Sequence, residues 1–300
     1  MKFAVTGGAG FVGNNIVKLL VAKGHEVIVI DNLHTGKMEN LTCVLDNIQF
    51  YNIDIRDIEK LEDVLKDVDG IFHEAALTIV QESFEKKEEY FDVNVKGTEN
   101  IFRIAKKFGK KVVFASSSSI YGDSKYIPIK EEFEKNPINP YGQTKIEDEF
   151  LAEKYAKEGL KVIGLRYFNI FGRGQTGSYA GVITQFMWKL SEKQRPKIFG
   201  DGSQVRDFIH VSDVAKANLF AMLSKTDFGF FNIGTGIGTK IFDLAKIMIK
   251  IFEEDFEPEF VKPLKGDVKI SQADTDLAKK MLNWESKIEL EEGLRDFIRK

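Results

Sequence analysis

Hydrophobic and polar positions in the first half of the chain follow two rhythms in turn. Short apolar, β-branched runs at Lys2–Thr6, Glu26–Ile30, Ile48–Ile53, Gly70–His73, Lys111–Ala115 and Lys161–Arg166 predict strands. Helical spacing predicts helices at Gly10–Lys23, Asp57–Lys66, Phe84–Lys107 and Tyr141–Lys157, the last behind the breaker run Asn136–Pro140. Such alternation predicts an α/β fold, a Rossmann-type doubly wound parallel sheet with helices on both faces. After about residue 172 the rhythm weakens. Helices are expected at Ala180–Leu190, Asp213–Leu223, Lys240–Phe252 and Asp274–Leu282, with short strands between them. No Ser/Gly linker, low-complexity tract or repeat intervenes. The expected organisation is a dinucleotide-binding domain over residues 1–172 and a smaller α/β substrate lobe, packed on it without a tether, over residues 173–300.

Composition narrows the function classes. The 300 residues are 43% hydrophobic and 30% charged, with net charge -3, which suits a globular chain able to bury a large core. No long basic run is present, which argues against nucleic acid as a partner. No 18-residue apolar run suggests a membrane span, and glycines interrupt the N-terminus before a signal-peptide core could form. A single cysteine, Cys43, and four scattered histidines suggest neither disulfide nor metal site. The expected location is the cytoplasm.

Gly7, Gly10 and Gly13 fall between the first strand and the first helix. The spacing alone recurs by chance, and a tight packing turn would also use it. In this context the glycines let the backbone approach a pyrophosphate, which the helix N-terminus would bind through its amides. Phe11 and Val12 lie within the same turn. Asp31 ends the second strand, where a carboxylate accepts bonds from the adenosine ribose and repels a 2′-phosphate. The expected cofactor is therefore NAD, with Asn32 beside it.

Oxidation of an alcohol needs a base. Three Tyr-x-x-x-Lys pairs are present: Tyr121/Lys125, Tyr126/Lys130 and Tyr141/Lys145. Such a pair meets only on a helix, where positions i and i+4 share a face. Gly122 and Pro128 place the first two in loops, so Tyr141 and Lys145 are the candidates. A phenol has a pKa of ~10, and a nearby ammonium lowers such a value by about 1–3 units. The serine run Ser116–Ser119, ending an apolar strand after Ala115, offers a third polar group, though a serine-rich turn would look the same.

Taken together, TGGAGFVG, Asp31, Asp54-Ile55, NVKGT at Asn94–Thr98, SSSIYG at Ser117–Gly122, Tyr141-x-x-x-Lys145, RYFNIFG at Arg166–Gly172 and VRDFIHV at Val205–Val211 resemble the NAD-dependent epimerase/dehydratase family of sugar nucleotides. Within it the similarity is to UDP-glucose/UDP-N-acetylglucosamine 4-epimerases, over nearly the whole chain. The resemblance implies Ser117, Tyr141 and Lys145 as catalytic residues. It implies Asp54 and Ile55 at the adenine and Asn94 at the nicotinamide half, with Ala75, Ala115 and Phe168 completing the cofactor site. Asn169 and Arg206 would bind the substrate diphosphate, Val182 and Phe199 would line the nucleotide pocket, and Asp267 would hold the uridine ribose. Ser271 would stand beside the sugar's C2 substituent. A homodimer through the helices at Phe84–Lys107 and Tyr141–Lys157 is also implied.

Dehydratases of this family carry Asp and Glu after the catalytic residue, and UDP-glucuronate decarboxylases carry Glu at the second of these positions. Ser118 and Ser119 stand there in this chain. A hydroxyl is a poor acid and a poor base, which favours an epimerase. A UDP-glucuronate 4-epimerase, or a non-catalytic NAD sensor on the same fold, are the alternatives. Leu264 replaces an arginine usual in the family.

Overall fold

The computed structural model describes residues 1–175, 181–263 and 268–298. The first strands and helices are β1 (Lys2–Thr6), α1 (Phe11–Ala22), β2 (Glu26–Ile30), β3 (Ile48–Tyr51), α2 (Ile58–Leu65), β4 (Gly70–His73), α3 (Val80–Glu85), α4 (Lys87–Tyr90), α5 (Gly97–Phe108), β5 (Lys111–Ser117), α6 (Pro140–Lys157) and β6 (Val162–Tyr167). After these come β7 (Asn169–Phe171), α7 (Val182–Ser191), β8 (Lys197–Phe199), β9 (Val205–His210), α8 (Val211–Leu223) and β10 (Phe228–Ile233). The chain ends with β11 (Gly238–Lys240), α9 (Ile241–Ile251), β12 (Glu259–Val261), β13 (Ile270–Ser271), α10 (Asp276–Leu282) and α11 (Leu290–Ile298).

Seven strands form one parallel sheet in the order β10-β6-β5-β4-β1-β2-β3. The central strands are apolar on both faces, as a sheet covered by helices on both sides requires. One face packs Val5, Val29 and Phe72 against Ile16 and Leu20 of α1 and Val214 of α8. The other packs Ala4, Ile28 and Phe114 against Leu61 of α2, Phe102 of α5 and Ala152 of α6. The sheet order changes direction beside β1, so the C-terminal ends of β1 and β4 open onto a crevice of the kind that binds dinucleotides.

Residues beyond 172 return to this sheet. β10 pairs along β6, from Phe228 opposite Val162 to Ile233 opposite Tyr167, and α8 packs on α1. The separate lobe has its own core, which includes Phe171, Phe186, Phe208 and Leu244, under a small sheet of β11, β9 and β13 with β7 beside β9. A parallel pair of β8 and β12 adjoins it.

The single helix expected over Phe84–Lys107 is instead α3, α4, a π-helical turn at Phe91–Lys96, and α5. The wider turn brings the Asn94 side chain inward, where it is fully buried and bonded. At Gly97 a Cβ would lie 2.4 Å from Ile55 Cδ1, so a larger residue would push α5 off the Asp54–Ile55 turn. The 3₁₀ run at Met38–Asn47 and the helix α11 were not expected from the pattern.

Candidate active site

A cleft at the C-terminal ends of the sheet runs from the glycine turn to the serine run. At one end Gly7 has φ 66°, and a Cβ on it would lie 2.7 Å from the Ala75 amide nitrogen. A Cβ on Gly13 would come within 2.1 Å of the Gly7 carbonyl. The turn thus closes tightly only with glycine at these two positions. Gly10 occupies the N-cap of α1 with no side-chain cap, so no side chain takes up the helix-terminal amides at the cleft. This bare, positively polarised helix end is a cradle for a pyrophosphate.

Asp31 lines the same cleft and is buried. Its Oδ2 accepts from the Ala9 amide at 2.9 Å and its Oδ1 from the Leu33 amide at 2.8 Å. Burial raises its pKa, and these amide bonds pull against that rise. Asp31 therefore also ties the glycine turn to the loop after β2. Asn32 lines the cleft and donates to Asp54 at 2.9 Å. Asp54 itself does not line it. Arg56 grips Asp54 through two nitrogens at 2.8 and 2.9 Å and holds its carboxyl far below the usual range. Ile55 and Arg56 present the cleft surface there.

Asn94 is also set back from the cleft. Its side chain accepts from the Leu77 amide at 2.8 Å and donates to the Leu77 carbonyl at 3.0 Å and to Thr144 Oγ1 at 3.0 Å. It fixes Leu77, which lines the cleft with Ala75.

At the other end stand Ala115, Ser117, Tyr141, Lys145, Phe168 and Asn169. Asn139 caps α6 by accepting from the Gly142 amide at 2.8 Å, and Pro140 occupies the first turn. That start places Tyr141 on the first turn and Lys145 one turn later. The competing tyrosines lie elsewhere. Tyr121 is buried, donates to Asn232 at 2.7 Å and accepts from Arg166 at 2.6 Å, while Tyr126 is 71% exposed. Ser117 Oγ accepts from the Ser119 amide at 3.1 Å.

Behind this end lie two buried networks. Glu149 binds Arg166 through both carboxylate oxygens at 2.8 Å and Ser116 at 2.7 Å, bracing α6 against β5 and β6. Tyr167 donates to Glu74 at 3.0 Å and accepts from Asn218 at 2.7 Å, and both Tyr167 and Glu74 line the cleft. Burial pushes the Glu74 carboxyl up to about 8, with the Tyr167 bond and the Lys145 charge pulling the other way. Lys145 is buried, which disfavours its charge, but Asp148, 3.0 Å away, and the neighbouring Tyr141 and Glu74 keep its pKa raised. Glu74, Tyr167 and Asp148 escaped the sequence reasoning. Their signals were Glu74 at a strand end, Tyr167 at the end of β6 and Asp148 three residues after Lys145.

The lobe residues expected at the substrate do not line this cleft. Val182 starts α7 just after the lining residue Gly181. Arg206 and Ser271 are register partners on β9 and β13, Ser271 being buried, and Phe199 ends β8. Asp267 and Leu264 lie outside the described residues. Among the described residues no three His, Cys, Asp or Glu side chains are grouped to hold a metal, and no helix is long and apolar enough to cross a membrane.

The NAD dependent epimerase/dehydratase family model matches residues 3–234. A putative UDP-glucose 4-epimerase of Methanocaldococcus jannaschii is 40% identical over 303 residues, covering 98% of this chain and 96% of the relative. The crystal structure of the Thermotoga maritima UDP-glucose 4-epimerase with UDP-glucose superposes with TM-score 0.95 at 39% identity, covering 99% of this chain and 97% of that one. A UDP-N-acetylglucosamine 4-epimerase from Methanobrevibacter ruminantium, in complex with UDP-N-acetylmuramic acid, gives TM-score 0.95 at 35% identity over 99% and 96%. The chain belongs to the NAD dependent epimerase/dehydratase family. NAD is its cofactor, and the glycine cradle, the bare helix end and Asp31 are the groups that fit it.

Proposed function

We propose that this NAD-dependent nucleotide-sugar 4-epimerase inverts C4 of UDP-hexoses, interconverting UDP-glucose with UDP-galactose and UDP-GlcNAc with UDP-GalNAc. The carrying observation is that Ser117, Tyr141 and Lys145 share one cleft with the dinucleotide cradle. Bound NAD supplies the hydride acceptor and donor. Tyr141 removes the C4 hydroxyl proton and later returns it, with Ser117 bridging the two oxygens. Lys145 stabilises the phenolate and anchors the ribose. The 4-keto sugar turns over between the two transfers, so no net oxidation occurs. Ser118 and Ser119 also line the cleft and bring no carboxyl for C5 or C6 chemistry, which favours epimerisation over dehydration or decarboxylation.

In this scheme Asn169 lies at the substrate end of the cleft. Val182, Phe199, Arg206 and Asp267 take the nucleotide as the lobe closes, and Ser271 leaves room for a C2 acetamido group. Support for the broader substrate range comes from the small side chain at Ser271 and from the similarity to a UDP-N-acetylglucosamine 4-epimerase. The protein acts in the cytoplasm as a homodimer through α3–α6, where Phe84, Phe91 and Phe150 are 40%, 45% and 52% exposed. Incubation with each UDP-sugar followed by chromatography tests the activity. Formation of the C4 epimer is expected, and absence of any epimer from all four sugars would overturn it.

A further inference from the structure

Lys145 has a partner that the epimerase chemistry does not call for. Lys145 Nζ donates to Asp148 Oδ2 at 3.0 Å, and the two side chains are 4% and 0% exposed. The carboxylate is also favoured by the Thr98 hydroxyl beside it, although Oδ1 makes no hydrogen bond of good geometry. A buried ion pair is seldom favourable over apolar packing, so a carboxylate buried against Lys145 calls for a reason beyond stability. We propose that Asp148 is a positioning residue for the Tyr141–Lys145 pair: its carboxylate holds the Lys145 ammonium in place and, together with Glu74 from the end of β4, limits how strongly that ammonium favours a Tyr141 phenolate. This rests on Tyr141 being the base.

The titratable and charged groups around the pair are few. Tyr141 and Glu149 share α6 with it, Glu149 being locked to Arg166. His73 and Glu74 face it from β4 and Tyr167 from β6, and Tyr90 acts on the Tyr141 side with its hydroxyl donated to the Ile79 carbonyl. His73 is held neutral by burial, bonded on its two ring nitrogens to Thr6 and Thr98. Glu74 stays neutral until about pH 8 and so adds its charge only on the alkaline side. Burial raises the Asp148 carboxyl to about 6 against the pull of Lys145, so at neutral pH it is charged and is the counter-charge in direct contact with Lys145.

The test is the pH dependence of kcat/KM for UDP-galactose, measured on the NAD-loaded enzyme. In Asp148→Asn the phenolate loses a nearby negative charge and forms at lower pH, and the ammonium loses its counter-ion and gives up its proton at lower pH. Both limbs of the profile move down by about one unit. In Glu74→Gln the acid limb stays and only the alkaline limb moves down. A tyrosinate absorbance titration, with Tyr141→Phe subtracted, shows the same downward move in Asp148→Asn without turnover. Limbs unmoved in both variants, with wild-type NAD content and thermal stability, would overturn the proposal. Should Asp148→Asn fail to fold, the alkaline limb of Glu74→Gln decides. An active Tyr141→Phe enzyme would instead overturn the assignment of the base.

Discussion

The two halves of the cleft are built differently. On the cofactor side the binding elements belong to the ends of adjacent parallel strands: the glycine turn after β1, Asp31 after β2, and Ala75 and Leu77 after β4. Backbone geometry does most of the work, and the side chains of Asp31 and Asn94 are tied by backbone amides nearby. On the substrate side Ser117 and Asn169 line the cleft, while Val182, Phe199, Arg206 and Ser271 sit on α7, β8, β9 and β13 and do not. A substrate that must enter and leave would suit this second construction, if the lobe completes the site as proposed.

Substitutions in the two halves should therefore fail in different ways. Tyr141→Phe is expected to lower kcat by about 10²–10⁴ while NAD remains bound, with Tyr126→Phe as the active control. Loss of NAD from Tyr141→Phe would place the residue in the cradle, not in the chemistry. Glu149→Ala leaves Arg166 buried without its carboxylate and should cost about 3–5 kcal/mol in denaturant unfolding, with Ser116 at the cleft wall losing its bond as well. Asp31→Ala should weaken NAD, measured by nucleotide released on denaturation, and blunt its preference over NADP. Because Asp31 also fastens Ala9 and Leu33, Asp31→Asn should recover the loop anchoring better than the affinity. Ser271→Tyr should abolish turnover of the N-acetylated pair and spare UDP-galactose, since overlap in a packed site cannot relax. If it lost both pairs equally, the lobe would not be dividing affinity from selectivity.

The smallest effect concerns Glu74. Its carboxyl is raised from 4.5 to about 8, so the folded state holds a proton that the unfolded chain releases. Stability from this group is full below about pH 4.5 and falls as pH rises towards 8. Glu74→Gln should flatten that decline in thermal unfolding of the NAD-free protein between those limits.

The cofactor half was largely legible in the sequence because its signals are local. Three glycines, a strand-end aspartate and an i, i+4 pair behind a proline all act within a few residues of where they stand. Asp54 and Asn94, expected to contact the cofactor, sit one layer back from the cleft, because Arg56 and the π-helical turn capture their side chains. Lys145 was legible as a cation, but its partnership with Asp148 and Glu74 was not, since Glu74 arrives from a strand 71 positions earlier in the chain. The lobe was least legible. Its strands have 2–6 residues, too short for alternation to show, and they pair with segments far away in sequence.

The return of the chain to the large sheet governs how the protein can be made. Until residues 211–233 have left the ribosome, β6 is a bare edge and the face of α1 that meets α8 is uncovered. A nascent or truncated chain ending near residue 172 therefore carries an open template for pairing with its neighbours. The nucleotide-binding half, although written first, must wait for more than three quarters of the message before it can close.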